Sequence, residues 1–155
     1  MSGYCIDTSA LIDAGIRYYP PDVFPSFWKK LEMLLDSSRL KAPATLLDEI
    51  TRKDDDLAEW VKANKDALIV PMDAAQQTAV TVILGQFPNL INPNKNRSMG
   101  DPFFVALAQT QNLTLVTGEK NKGNLNKPKI PDVCDTLSIP YINILELIRR
   151  EGWRF

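Results

Sequence analysis

The 155-residue chain contains no histidine. That absence removes Ser-His-Asp and Cys-His nucleophile pairs and histidine-bound zinc from the chemistry available to it. Only two cysteines are present, Cys5 and Cys134, too far apart for a metal-binding spacing. They read as buried free thiols of a reducing compartment. Long apolar runs are missing as well. Stretches such as Ala67-Leu68-Ile69-Val70 last only a few residues, so no membrane-spanning helix is expected. The start, MSGYCID, has neither a basic head nor an apolar signal core, so the expected location is cytoplasmic. There is no large excess of one charge: the formal net charge is −1, which argues against holding nucleic acid by bulk charge alone.

What remains is ordinary for one globular domain spanning residues 1–155: 45% hydrophobic and 24% charged residues, no repeat and no low-complexity tail. Short strand-like runs alternate with helical patterns. Gly3 to Asp7, Leu40 to Ala42, Leu68 to Pro71, Leu113 to Thr117 and Ile139 to Ile142 read as strands or links. Helices are expected after Asp7 or Thr8, over Ser26 to Ser37, from Pro43 to about Arg52, and over Asp55 to Asn64. Further helices are expected from an Asp73 cap to Gly85, from Asp101, over Ile130 to Ser138, and from an Asn143 cap to Glu151. Tyr18 to Pro25 and the proline- and asparagine-rich stretch from Pro88 to Gly100 read as irregular. The alternation predicts an α/β fold, a three-layer α/β/α sandwich on a short, mainly parallel sheet.

Four carboxylates stand at element boundaries: Asp7 in YCIDTSALID, Glu49 in PATLLDEI, Asp101 in GDPFFVALA and Glu119 in LVTGEK. Each has a plainer reading. Asp101 suits a helix N-cap, Glu49 a solvated helix face, and Glu119 a partner for Lys120 or Lys122. Asp7, leaving a buried strand, has few structural duties. Together, Asp7, Asp101 and Glu119 point to one rim of a parallel sheet, where such sheets bind ligands. Clustered carboxylates repel unless a cation or shared protons compensate. Without histidine or paired cysteine, the donor set favours Mg²⁺ or Mn²⁺, which can polarise a phosphate oxygen and activate water. Thr8, Ser9 and Thr117 are short hydroxyls placed to orient the acids. With four of the 19 acids neutralised, 18 basic residues face 15 acidic ones. Lys95, Arg97, Lys120 and Lys122 are then candidate contacts for a nucleic-acid backbone.

The IDTSALID start, the acid in LLDEI, GDPFFVALAQ and LVTGEK resemble, in order, the four motifs of the PIN domain. The resemblance covers residues 4 to about 120. It implies a Mg²⁺- or Mn²⁺-dependent endoribonuclease with Asp7, Glu49, Asp101 and Glu119 as catalytic metal ligands. It also implies a VapC-type toxin role, a cognate antitoxin partner and a homodimer. Glu119 stands where many members carry Asp, and the ending, with VT-x-E-K and then IP-x-VC, is similar to a less-studied PIN-like subgroup. Asp132 and Asp135 are further acids able to replace or support Glu119, or to act as caps. Two other functions fit parts of the pattern. An aspartyl-phosphate phosphotransfer domain would use Asp7, but the expected second Asp is Ser9. A non-catalytic module binding protein or nucleic acid would draw on Trp28, Trp60 and Trp153, although the spacing of the first two suits a core.

Overall fold

The computed structural model describes residues 3–50, 56–91 and 100–155. Five short strands, β1 (Tyr4–Ile6), β2 (Leu40–Pro43), β3 (Ile69–Val70), β4 (Thr114–Val116) and β5 (Tyr141–Ile142), form one sheet in the order β3-β2-β1-β4-β5. Every pairing is parallel, with Tyr4 opposite Leu40 on one side and Thr114 on the other. The chain builds outward from β1 to β3, returns to the centre, and builds outward again through β4 and β5. Strand order therefore reverses between β1 and β4, the switch point where parallel sheets open a crevice.

Right-handed crossovers place the helices of the two halves on opposite faces. On one face lie α1 (Thr8–Ile12), α2 (Pro25–Asp36), α3 (Thr45–Ile50), α4 (Asp56–Ala63) and α5 (Lys65–Leu68), with α2 against α5 and α3 against α1 and α4. The other carries α6 (Ala74–Gln86), α7 (Asp101–Thr110) and α8 (Ile130–Leu137), with α7 packed on α6, α8 and the central strands. A last helix, α9 (Ile144–Glu151), begins on an Asn143 cap and ends at Gly152 in the left-handed conformation. The expected α/β sandwich is the observed fold, and its sheet is wholly parallel among the described strands. Tyr4, Ile6, Leu11, Phe27, Leu31, Leu107 and Leu115 are fully buried around it. Cys5 and Cys134 are buried and free, as expected. No described helix is long and apolar enough to cross a membrane.

Three local expectations are corrected. Pro43 ends β2 instead of opening a helix. It lies beyond the β1 pairing at Leu40 and Lys41, so its missing N–H breaks no ladder bond on that side. Tyr18, read as the start of an irregular stretch, instead ends a π-helix, Asp13–Tyr18, that continues α1 and is closed by the Tyr19 N–H donating to the Ala14 carbonyl at 2.8 Å. Asp101 is the first residue of α7 rather than its cap. Gly100 holds the cap position and no side chain caps the helix.

The three tryptophans pack in an aromatic cluster. Trp28 is buried and meets Phe27 and Trp60 edge-on, and Trp153 stands edge-on to Phe27.

Candidate active site

Asp7 leaves β1 at the switch point with its amide donating to the Val116 carbonyl at 2.9 Å. The residue is 2% exposed. Its Oδ1 accepts the Ala10 amide at 2.8 Å, so Asp7 caps α1, and also accepts the Ser9 hydroxyl at 2.8 Å. Oδ2 accepts the Thr117 hydroxyl. A carboxylate offers about four acceptor positions, so these contacts leave Oδ2 with room for one more partner. Ser9 and Thr117 also stitch the two central strands together at this rim. The Ser9 hydroxyl accepts the Gly118 amide at 2.9 Å, the Thr117 hydroxyl accepts the Glu119 amide at 3.1 Å, and the two hydroxyls lie 3.3 Å apart. The Thr8 hydroxyl donates to Glu49 Oε2. Thr8, Ser9 and Thr117 thus each donate a hydrogen bond to one of these carboxylates.

The four acids share one electrostatic neighbourhood. Asp101, released from capping, is held well above the usual carboxylate range, first by burial and then by the charges of Glu119, Asp7 and Glu49, with the Lys129 ammonium opposing. Burial pushes Asp7 to about 7 despite the hydrogen bonds from Thr117, Ala10 and Ser9, and Glu119 adds to the rise. The Glu49 carboxylate lies so close to Gly100 that a Cβ there would force it to move.

Such a set, all oxygen and short of positive charge, suits a hard cation in kind. Two of its members are turned to other partners, Glu49 toward Thr8 and Glu119 toward Lys129 at 3.5 Å. Correspondingly, among the described residues no three histidine, cysteine, aspartate or glutamate side chains lie close enough to grip an ion as they stand.

The remaining candidates separate. Lys120 is exposed and lines a groove beside the acids. Lys122 is exposed and contributes its backbone amide to a turn. Lys95 and Arg97 lie outside the described residues. Asp132, 3% exposed, is a loop clamp: its Oδ1 accepts the amides of Lys122 and Gly123 at 3.0 and 2.8 Å, and its Oδ2 that of Lys129 at 2.8 Å. Asp135 pairs with Asn121.

Two residues join the site without having been singled out in the sequence. Lys129 is delivered to Glu119 and Asp101 by the Asp132 clamp; the density of lysines in this loop was its only signal. Asp13 sits against Gly118, where a Cβ would strike its carboxylate, and pairs with Arg17 at 2.8 Å. It lies inside the IDTSALID motif, and its amide bonds the Ser9 and Ala10 carbonyls as in a regular helix.

A search of curated proteins finds no match. Among solved structures, the chain is similar to one in the crystal structure of VapBC2 from Rickettsia felis bound to a DNA fragment from their promoter. The two share 18% sequence identity over 90% of this chain and 97% of that one, with a TM-score of 0.54. This likeness establishes a PIN-like fold. The model of one family, described as a domain of unknown function (DUF4411), matches residues 4–155, and the chain belongs to that family.

Proposed function

We propose that this protein is a metal-dependent endoribonuclease that hydrolyses RNA phosphodiester bonds. The observation that carries the reading is the convergence of Asp7, Glu49, Asp101 and Glu119, from four separated segments, at the switch point of the sheet. There burial and the charges of Glu119, Asp7 and Glu49 raise the proton affinity of Asp101, with the Lys129 ammonium opposing, and Glu119 adds to the rise at Asp7. Asp7, Asp101, Glu49 and Glu119 would hold Mg²⁺ or Mn²⁺, and a bound ion would polarise the phosphate and supply an activated water.

The chain's own groups do the positioning. Thr117, Ser9 and the Ala10 amide fix both oxygens of Asp7, so that acid enters the reaction already oriented. The ammonium of Lys129 meets negative charge on the phosphate, and Lys120 extends this positive edge along the strand. The phosphotransfer reading is disfavoured because Ser9 stands where its second Asp is needed.

The PIN-like fold shared with a chain of VapBC2 supports a role as the toxin of a two-component pair, neutralised by an antitoxin protein; a homodimeric assembly rests on the PIN resemblance of the motifs alone. A small upstream reading frame encoding a DNA-binding protein would agree with that role.

A second reading has its own support. Thr8 and Lys129 already draw on Glu49 and Glu119, which fits a binding module with structural acids. RNA cleavage assays with Mg²⁺ or Mn²⁺, with chelator, and with Asp7→Asn and Asp101→Asn decide between them. Cleavage lost under each treatment supports the nuclease. Cleavage surviving all of them refutes it, and calorimetry without any Mn²⁺ binding selects the binding module.

A further inference from the structure

A groove of about 380 Å³ adjoins the acids, and apart from Lys120 its lining has no part in the chemistry above. It shares Asp13 and Gly118 with the acidic rim and runs between the π-helix and the start of α9, past Tyr18, Tyr19, Lys120 and Leu145. We infer that this groove binds one unpaired base of a single-stranded nucleic acid, beside the phosphate held at the acids, with Tyr18 as its stacking face. The identity of the strand rests on the nuclease reading; the groove and its chemistry do not.

The two tyrosines have different duties. Tyr19 is anchored, stacked on Phe27 with centroids 4.9 Å apart and meeting Phe24 edge-on at 5.4 Å. Tyr18 is 59% exposed, its ring tilted against Tyr19 at 6.4 Å. An aromatic ring held by a fixed neighbour yet open on one side is a stacking platform, and such platforms accept bases with little regard to sequence. The π-helix puts it there: with hydrogen bonds reaching five residues back, Tyr18 returns to the side of the helix that carries Asp13. Single π turns are frequently found at functional sites. Leu145, 46% exposed, supplies an apolar wall across from it.

Charge fits the same occupant. Lys120 lies where a backbone phosphate would pass between base and acids. Asp13 would repel that phosphate, but Arg17 neutralises it. The volume is near the lower end of ligand pockets, about 300–1,000 Å³, which suits one nucleotide and excludes a duplex.

The test uses the full chain carrying Asp101→Asn, with Mg²⁺ present, and short labelled single-stranded and double-stranded RNA read by fluorescence anisotropy. Tyr18→Ala should weaken single-strand binding roughly tenfold, the loss of about one stacked base, while Tyr18→Phe binds as before. Duplex binding should be unaffected by either change. Because Tyr18 is exposed, thermal melting should not move, so a loss of binding cannot be ascribed to unfolding. Single-strand binding that ignores Tyr18→Ala overturns the groove and leaves the nuclease reading intact. Tyr18-dependent binding by a wild-type chain that cleaves nothing keeps the groove and removes the nuclease. A folded protein that binds no single strand removes both. If Tyr18→Ala releases a co-expressed protein partner but not RNA, the groove is a protein dock and the inference is wrong.

Discussion

The two ends of the sheet handle buried acid in opposite ways. At the carboxyl ends of the strands, Asp7 and Asp101 lie among other acids and both are pushed toward the protonated form. At the opposite end, Glu151 closes α9 in a forked pair with Arg39, at 2.9 and 2.7 Å, and also accepts the Tyr4 hydroxyl. The Arg39 hydrogen bonds hold its carboxyl below the usual range. Tyr4 in turn is raised to about 12, first by burial and then by Glu151. One end satisfies its acid with a resident guanidinium in bidentate geometry. The other leaves its acids in excess, which costs stability and makes sense where a ligand supplies the missing charge.

Removing an acid from each end breaks the comparison most sharply. Asp7→Asn and Asp101→Asn should each lower RNA cleavage at least about a hundredfold, since even outer partners of metal ligands cost 10–100-fold. Asp7→Asn should at the same time raise the melting temperature without metal, because a buried charge disappears. Unchanged cleavage, or a lower melting temperature, would count against the contrast.

The pH dependence has opposite signs at the two ends. Asp7 binds its proton more tightly folded, at about 7, than unfolded, near 3.9. Across that window the folded chain holds a proton the unfolded chain lacks, so stability falls as pH rises, by about 1.4 kcal/mol per pH unit. Glu151 contributes stability above its unfolded range and loses it as pH falls through its lowered folded value. Denaturation curves of the metal-free protein from pH 4 to 8 should show the falling slope, and Asp7→Asn should flatten it.

Glu151→Gln is expected to cost roughly 1–3 kcal/mol, between the values for exposed and buried pairs. Chemical denaturation measures this, and cleavage should persist. The smallest effect is expected at Lys129, whose pair with Glu119 is 39% and 18% exposed. Lys129→Met should change stability by less than about 1 kcal/mol, yet tighten Mn²⁺ binding by calorimetry while slowing cleavage. Weaker Mn²⁺ binding would show that Lys129 supports the ion rather than competing with it.

Much of the fold was legible because local and global signals agree. Asp73 caps α6 and Asn143 caps α9 as their sequences indicate, and GDPFFVALA forms the buried helix its pattern demands. The site was legible for Asp7, whose motif fixes both cap and strand exit. It was less so for Asp101, where Gly100 took the cap and freed the carboxylate for the cluster. Asp132 acts in part as the cap its position suggested, accepting the Lys129 amide at the start of α8, while its other two partners, the amides of Lys122 and Gly123, lie in the preceding loop and carry no local signal. Lys129 was hidden for the same reason. Asp13 was missed because nothing in its local sequence announces its contact with Gly118, on a distant strand's exit.

The π-helix can be regarded as a regular helix carrying one inserted residue. A regular α-helix advances about 100° per residue, so if the same residues closed into one, Tyr18 would stand about 140° around the axis from Asp13 and out of the groove. Asp7, Ser9 and Thr117 precede the insertion or sit on another strand, so they would stay in place. The aromatic platform is therefore kept or lost with the hydrogen-bond register of one helical turn, independently of the acids.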